Sequence, residues 1–223
     1  MEPRVKVCGV TSTEDVEHLD GRVDYIGFVT GLRVSPRVLP PEKAADLAST
    51  VGRSRRVLVV YGLEPEEAYS VAEKAGVFHV LQYHWFEKPR GLRRLAERLS
   101  EIGVALAPVV FHGVGGWSPL HPIFYSRLSE AAEYILVDAP KSSPARHAGG
   151  LRIPPEAVAE AARVVKRLGV AGGINPANVC LVARHAWLID VSSGVESTPG
   201  RKDPALVEKL LEALRACSST GQG

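Results

Sequence analysis

Short apolar runs alternate with longer amphipathic segments along the whole chain, and this alternation predicts β-strands separated by α-helices. The apolar runs cover residues 5–8, 24–29, 56–61, 77–82, 104–111, 134–138, 170–173 and 187–192. The helical segments cover 13–20, 41–50, 65–75, 91–101, 119–132, 154–168, 176–183 and 204–216. Nearly continuous apolar strands are typical of parallel sheets, which are covered on both faces.

Eight such βα units favour a closed α/β fold, the (β/α)8 TIM barrel, as a single domain over residues 1–217. An open doubly wound sheet is the alternative, but it requires no fixed strand count. Residues 218–223 are small and polar, and we expect them to form a frayed tail.

Composition narrows the class of partner. The 223 residues are 45% hydrophobic and 23% charged, with a formal net charge of +2. This balance does not favour nucleic acid or an anionic membrane as a partner, and no apolar run is long enough to span a membrane. The three cysteines are far apart and predict neither a disulfide framework nor a metal cluster, so a reducing cytoplasm is the expected location.

The first predicted strand carries a thiol to its carboxyl end. Side chains alternate along a strand, so Lys6 and Cys8 share one face while Val5 and Val7 face a covering helix. An ammonium group near a thiol favours the thiolate, which predicts a nucleophile or a base at the mouth of the barrel. A small, buried hydrophobic side chain is the alternative interpretation of Cys8.

Three further side chains follow the ends of predicted strands, where barrel enzymes place their chemistry. Asp138 ends the sixth strand and suits a general acid, or alternatively a cap or a salt bridge. Arg37 lies in the loop after the second strand, and its guanidinium group can bind a carboxylate through two parallel hydrogen bonds. His84 ends the fourth strand and either orients a substrate or forms part of the rim.

Two glycine-rich segments follow the seventh and eighth strands. Gly172 and Gly173 lie in the first, and Ser192, Ser193 and Gly194 lie in the second. Glycines let backbone N–H groups approach an anion closely, and barrels commonly bind phosphate at these two loops. The pair of segments therefore favours a phosphate site over two tight turns.

Taken together, these motifs resemble the phosphoribosylanthranilate isomerase family of tryptophan biosynthesis. The matching segments are KVCGVT at 6–11, SPR at 35–37, QYH at 82–84, Asp138, GGINPANV at 172–179, and DVSSGVE at 190–196 followed by PGRKD at 199–203. The loop after the sixth strand departs from the family pattern, and Arg152 stands where the family has a lysine.

The resemblance implies a cytoplasmic isomerase that performs an Amadori rearrangement on a small phosphosugar, as a monomer or homodimer, with no metal or cofactor. Cys8 would be the general base and Asp138 the general acid. Arg37, Gln82, His84 and Arg152 would bind substrate, and the two glycine-rich segments would bind its phosphate. A ribulose-phosphate epimerase, the histidine-pathway isomerase and a non-catalytic phosphosugar-binding protein are the alternatives.

Overall fold

Eight parallel strands form the barrel wall in the computed structural model, which describes residues 2–31, 34–85, 91–128, 130–140 and 147–219. The strands are β1 (Arg4–Cys8), β2 (Tyr25–Gly31), β3 (Arg55–Tyr61), β4 (Val80–His84), β5 (Ala105–Gly113), β6 (Ile135–Asp138), β7 (Leu168–Val170) and β8 (Leu188–Val191). They run in the order β4–β3–β2–β1–β8–β7–β6–β5, and β4 also pairs with β5, which closes the ring. The predicted (β/α)8 barrel is confirmed.

Helices surround this ring and connect its strands. They are α1 (Thr13–Leu19), α2 (Pro41–Ser49), α3 (Pro65–Ala75), α4 (Leu92–Glu101), α5 (Pro155–Ala162), α6 (Cys180–Ala183) and α7 (Pro204–Ser219). Four of them begin with proline, whose fixed φ suits the first turn and whose missing N–H is not needed there. No helix within the described residues is long and apolar enough to cross a membrane.

The predicted helix 119–132 is wrong in type, because the chain forms a 3-10 helix at Pro122–Leu128. Two prolines lie within four residues here, and Ile123, Phe124 and Tyr125 follow, which are weak helix formers. The preceding residues, Gly116–Ser118, turn back and pair antiparallel with the end of β5.

Three predicted boundaries also moved near the last strands. The seventh strand covers Leu168–Val170 instead of residues 170–173, so only Val170 is shared. It ends there because Gly172 and Gly173 adopt φ of 94° and 84°, which is not extended backbone. The predicted helix 154–168 ends at Ala162, and the predicted helix 176–183 begins at Cys180.

Two hydrophobic layers make the core. One lies between the strands and the helices, and the other fills the barrel interior. At the amino ends of the strands, the rings of Tyr25, Tyr134 and Trp187 pack together with centroids 5.9–6.4 Å apart. These aromatic rings fill the barrel at the amino ends of the strands. The open end of the barrel is therefore at the carboxyl ends.

A disulfide joins Cys180 in α6 to Cys217 in α7, with their Cα atoms 5.5 Å apart. The expectation that the cysteines form no disulfide was therefore wrong, because the two helices become neighbours only when the barrel closes. α7 continues to Ser219, two residues into the predicted tail, and residues 220–223 lie outside the described part of the chain.

Candidate active site

A cavity of about 180 Å³ opens at the carboxyl ends of the strands. Its wall contains most of the predicted site residues: Cys8, Arg37, His84, Asp138, Arg152, Gly172, Gly173, Ser192 and Ser193. Asp190 and Tyr61 also line it, and neither was predicted to act there. The closed barrel therefore brings together side chains that are spread over most of the sequence.

Cys8 is half-buried at the end of β1 and faces the cavity, as the strand alternation predicted. Gly27 pairs with it on β2 and leaves room, because a Cβ at Gly27 would lie 3.2 Å from the Cys8 Sγ and 3.1 Å from the Lys6 Nζ. The bare backbone at Gly27 thus lets the ammonium group and the thiol sit side by side.

Burial raises the pKa of the Cys8 thiol, although the nearby Lys6 and Lys202 ammonium groups act to lower it. The charge of Lys6 does act to lower the thiol pKa, as expected, but the net effect of all the surrounding groups is to raise it. Desolvation outweighs the charge of Lys6, and Asp190 opposes the lysine charges. At neutral pH, therefore, the neutral thiol is the favoured form.

Lys6 is fully buried and pairs with Asp190 on β8. The Lys6 Nζ donates to both carboxylate oxygens of Asp190 at 2.9 Å, and the two residues are register partners. The pKa of Lys6 is raised: burial acts to lower it, but Asp190 and Cys8 together outweigh that effect. Asp190 thus favours the charged form of Lys6 next to the Cys8 thiol.

Asp138 ends β6 and is 5% exposed. The backbone N–H of Ala139 donates to its Oδ1 at 2.7 Å, and its Oδ2 lies 4.0 Å from the His84 Nε2. The His84 ring stacks on Tyr61, with centroids 3.9 Å apart. These contacts hold the carboxyl group and the imidazole next to each other in the same wall as Cys8.

Arg37 reaches the cavity from the loop after β2 and is held by Glu196. Its Nε donates to the Glu196 Oε1 at 2.8 Å, and its Nη2 donates to the Glu196 Oε2. The Lys202 Nζ donates to the same Oε1 at 2.6 Å and to the Cys8 carbonyl oxygen at 2.7 Å. Glu196 and Lys202 lie in the short hairpin that follows β8.

Gln82 is not in the cavity wall, contrary to its predicted substrate contact. It lies on β4 two residues before His84, so it points inward one layer deeper in the barrel. There it is buried, and its Oε1 accepts a hydrogen bond of 2.8 Å from the Tyr134 hydroxyl. Gln82 therefore supports the floor of the site.

The two glycine-rich segments lie beside each other. A Cβ at Gly194 would collide with the Ile174 carbonyl oxygen, so Gly194 allows the two loops to touch rather than lining the cavity itself. Within the described chain, no backbone carbonyl accepts a hydrogen bond from the N–H of Gly173 or Ser193. Arg152 lies next to them, with its backbone N–H donating to the Gly172 carbonyl oxygen at 2.8 Å.

Among the described residues, no group of three or more His, Cys, Asp or Glu side chains is arranged to hold a metal ion. Sequence reasoning predicted Lys6 beside Cys8 but missed three charged partners: Asp190, which pairs with Lys6, and Glu196 and Lys202 beside Arg37. The late motifs at 190–196 and 199–203 contain these three residues and were the available signal.

The chain matches known proteins in both sequence and structure. The sequence profile of N-(5'phosphoribosyl)anthranilate (PRA) isomerase matches residues 123–213. An N-(5'-phosphoribosyl)anthranilate isomerase from Pyrobaculum islandicum is 45% identical over 211 residues, covering 94% of this chain and 97% of that protein.

Solved structures of such enzymes superpose on this barrel. The phosphoribosyl anthranilate isomerase from Thermus thermophilus is 28% identical, with a TM-score of 0.75, and the match covers 96% of this chain and 98% of that one. A phosphoribosyl anthranilate isomerase in complex with reduced 1-(o-carboxyphenylamino)-1-deoxyribulose 5-phosphate is 26% identical, with a TM-score of 0.68, covering 96% and 99%. This chain therefore belongs to the N-(5'-phosphoribosyl)anthranilate isomerase family.

Proposed function

We propose that this chain converts N-(5'-phosphoribosyl)anthranilate to 1-(2-carboxyphenylamino)-1-deoxyribulose 5-phosphate, an isomerisation of tryptophan biosynthesis. Membership of the family supports the reaction. The structural observation that carries the assignment is the joint position of Cys8 and Asp138, which face one cavity beside two glycine-rich loops and an arginine. A site that only bound a phosphosugar would not require a thiol and a carboxyl group together.

The two groups fit the two proton transfers of an Amadori rearrangement. Asp138, as the acid, donates a proton to the ribose ring oxygen, the bond from that oxygen to C1 breaks, and the nitrogen lone pair forms an iminium ion. Cys8, as the thiolate, removes the proton on C2, and the C–H electrons form the C1=C2 bond of an enolamine. Protonation at C1 and loss of the hydroxyl proton on O2 then give the ketone. The iminium nitrogen is the electron sink, so the chemistry requires no metal or organic cofactor.

Because the raised pKa of Cys8 favours its neutral thiol, the thiol has to release its proton to solvent water before C2 is deprotonated. The Lys6 and Lys202 ammonium groups act to lower the pKa of the thiol. The substrate iminium carries a further positive charge, and it develops beside the thiol only after ring opening. We therefore propose that the Lys6 and Lys202 charges favour the Cys8 thiolate, and that the positive charge of the iminium intermediate favours it further.

The remaining residues bind the two ends of the substrate. The N–H groups of Gly173 and Ser193 face no backbone acceptor in the described chain and suit the phosphate, with Gly172, Ser192 and Gly194 shaping the loops and Arg152 beside them. Arg37 suits the anthranilate carboxylate, and His84 suits a contact with the ribose. For Gln82 we propose a supporting role beneath the site through Tyr134.

A phosphorylated intermediate of biosynthesis is produced and consumed inside the cell, so we propose that the chain acts in the cytoplasm. Its assembly as a monomer or a homodimer is open to measurement by light scattering.

The test uses the fluorescence of the anthranilate substrate, whose signal decays as the isomerase turns it over. The native chain should consume this substrate and leave the substrates of the histidine-pathway isomerase and of ribulose-phosphate epimerase unchanged. Cys8→Ala and Asp138→Asn should fold with unchanged circular dichroism and lose about 10²–10⁴-fold in kcat each. Asp46→Asn removes an exposed carboxylate of α2 and is the matched control. Near-normal turnover by Cys8→Ala would reject the base assignment.

A further inference from the structure

We infer that Glu196 is a positioning residue that fixes the Arg37 guanidinium for an anionic substrate group, and that Lys202 completes this device by holding Glu196. We name Arg37, Glu196 and Lys202 the carboxylate clamp. The clamp would cause the enzyme to prefer a substrate that carries a carboxylate on its aromatic ring. This inference rests on the proposed function and adds to it the residues that set specificity.

Two side chains of the clamp are buried, and the third reaches the cavity. The side chains of Glu196 and Lys202 are 3% and 1% exposed, whereas that of Arg37 is 20% exposed and lines the cavity. Glu196 and Lys202 therefore cannot meet a substrate in this structure. Whatever they contribute to substrate recognition must pass through Arg37.

A guanidinium group has two edges that can each bind a carboxylate with two parallel hydrogen bonds. Glu196 occupies the edge formed by Nε and Nη2 of Arg37. Among the described residues, none accepts a hydrogen bond from Nη1. The second edge, formed by Nη1 and Nη2, is thus available to a second carboxylate, and the Glu196 contact sets the plane in which that carboxylate must lie.

The charges in the clamp do not cancel. Arg37 and Lys202 carry two positive charges and Glu196 carries one negative charge, which leaves these three side chains with one positive charge. Burial lowers the pKa of Lys202, and Glu196 opposes that effect. The Arg37 and Lys202 groups together lower the pKa of the Glu196 carboxyl, even though burial acts to raise it, so Glu196 stays ionised. A substrate carboxylate would neutralise the clamp, whereas an uncharged ring would leave it unbalanced and partly desolvated.

The clamp is also tied to the catalytic strand. The Lys202 Nζ donates to the Cys8 carbonyl oxygen at 2.7 Å. Gly9 follows with φ of 76°, and a Cβ there would lie 2.8 Å from the Arg37 Cδ, so the arginine stem crosses this turn in direct contact. The position of the carboxylate is therefore fixed relative to the thiol, which a rearrangement at C1 and C2 requires.

The experiment compares two substrates in the native chain and in Glu196→Gln. One is phosphoribosyl anthranilate, and the other is the phosphoriboside of aniline, which lacks the carboxylate. For the anthranilate substrate, Glu196→Gln should raise KM about tenfold or more with a smaller change in kcat. For the aniline substrate, kcat/KM should change less than about threefold, so the preference for anthranilate collapses.

A double-mutant cycle separates positioning from general support. Once Arg37→Met has removed the guanidinium, adding Glu196→Gln should cause no further loss of preference. The matched control is Glu208→Gln, which breaks the exposed Arg22–Glu208 pair of 2.9 Å and should leave the preference unchanged. If Glu196→Gln does not accumulate as folded protein, Arg37→Lys provides the same test, because an ammonium group cannot offer two bidentate edges. It should likewise lose the preference.

The outcomes distinguish this inference from the proposed function. A native chain that turns over neither substrate would reject the function itself. An active native chain whose preference survives in Glu196→Gln, or in Arg37→Lys, would overturn the inference alone. Equal losses on both substrates, or additive losses in the double variant, would also overturn it, since they indicate a structural ion pair without a role in recognition.

Discussion

The disulfide between Cys180 and Cys217 links the last two helices, and its removal gives a stability prediction that can be worked from the structure. The two cysteines are separated by 37 residues. Closing a loop of that length restricts the unfolded chain by about 4 kcal/mol at 25 °C in the chain-entropy treatment of cross-links. The folded state should change little, because α7 remains docked through its buried Val207, Leu210 and Leu214.

Each kcal/mol shifts Tm by about 2–4 °C for a chain of this size, so the full effect corresponds to about 10 °C. We therefore expect the double variant Cys180→Ser/Cys217→Ser to unfold about 10 °C below the oxidised native chain. Its kcat/KM at moderate temperature should be unchanged, since neither cysteine lines the cavity.

Thermal unfolding followed by circular dichroism, with and without a reductant, measures this difference. Reductant should lower Tm of the native chain and leave the double variant unaffected, which controls for other effects of the reagent. Titration of free thiols should find one in the oxidised native chain, Cys8, and three after reduction. Three free thiols before reduction, or a Tm that does not respond to reductant, would refute the reasoning.

Three further predictions concern the site. The raised pKa of Cys8 favours its neutral thiol, whereas iodoacetamide reacts with the thiolate. The rate of alkylation of the oxidised chain should therefore rise about tenfold per pH unit up to pH 9. A plateau of that rate below pH 8 would contradict the burial argument. Asp190→Asn should lower the free energy of unfolding in urea by about 3–5 kcal/mol, because it leaves the Lys6 ammonium buried without its carboxylate, and Lys6→Met/Asp190→Leu should recover most of that loss. A loss below about 1 kcal/mol for Asp190→Asn would contradict this reasoning. Gly173→Ala should raise the inhibition constant for inorganic phosphate about 10–100-fold. The reason is that the new Cβ would lie 2.5 Å from the Gly150 carbonyl oxygen, at a backbone φ of 84°. An unchanged inhibition constant would place the phosphate elsewhere.

The disulfide also bears on the expected location of the protein. Cytoplasmic proteins rarely keep disulfides, but intracellular proteins of hyperthermophiles are an exception. The chain contains two asparagines, two glutamines and one methionine, and scarcity of these side chains is typical of proteins from hot environments. The cross-link and the composition are thus features that this chain shares with proteins from hot environments.

Much of the fold could be predicted from local pattern. Near-continuous apolar runs indicated all eight barrel strands, and alternation within β1 correctly turned Lys6 and Cys8 toward the interior. The errors fell where local signals compete. Prolines and weak helix formers converted 119–132 to a 3-10 helix, and left-handed glycines ended β7 early.

Motif and strand position likewise placed Cys8, Arg37, His84 and Asp138 at one rim, because parallel strands direct their carboxyl ends to the same side. Depth within the barrel was not predictable in this way. Gln82 and His84 share a face of β4, yet one supports the floor and the other lines the cavity.

What the sequence by itself determined, then, is the repeated βα unit and the residue types at each strand end, since both follow from short-range burial and periodicity. Tertiary structure decided the partners. Lys6 meets Asp190 across 184 residues and Arg37 meets Glu196 across 159, and Cys180 reaches Cys217 from a neighbouring helix. These pairs exist only after the ring of strands closes in one register, because closure sets which distant side chains are excluded from water together and must satisfy one another's charge.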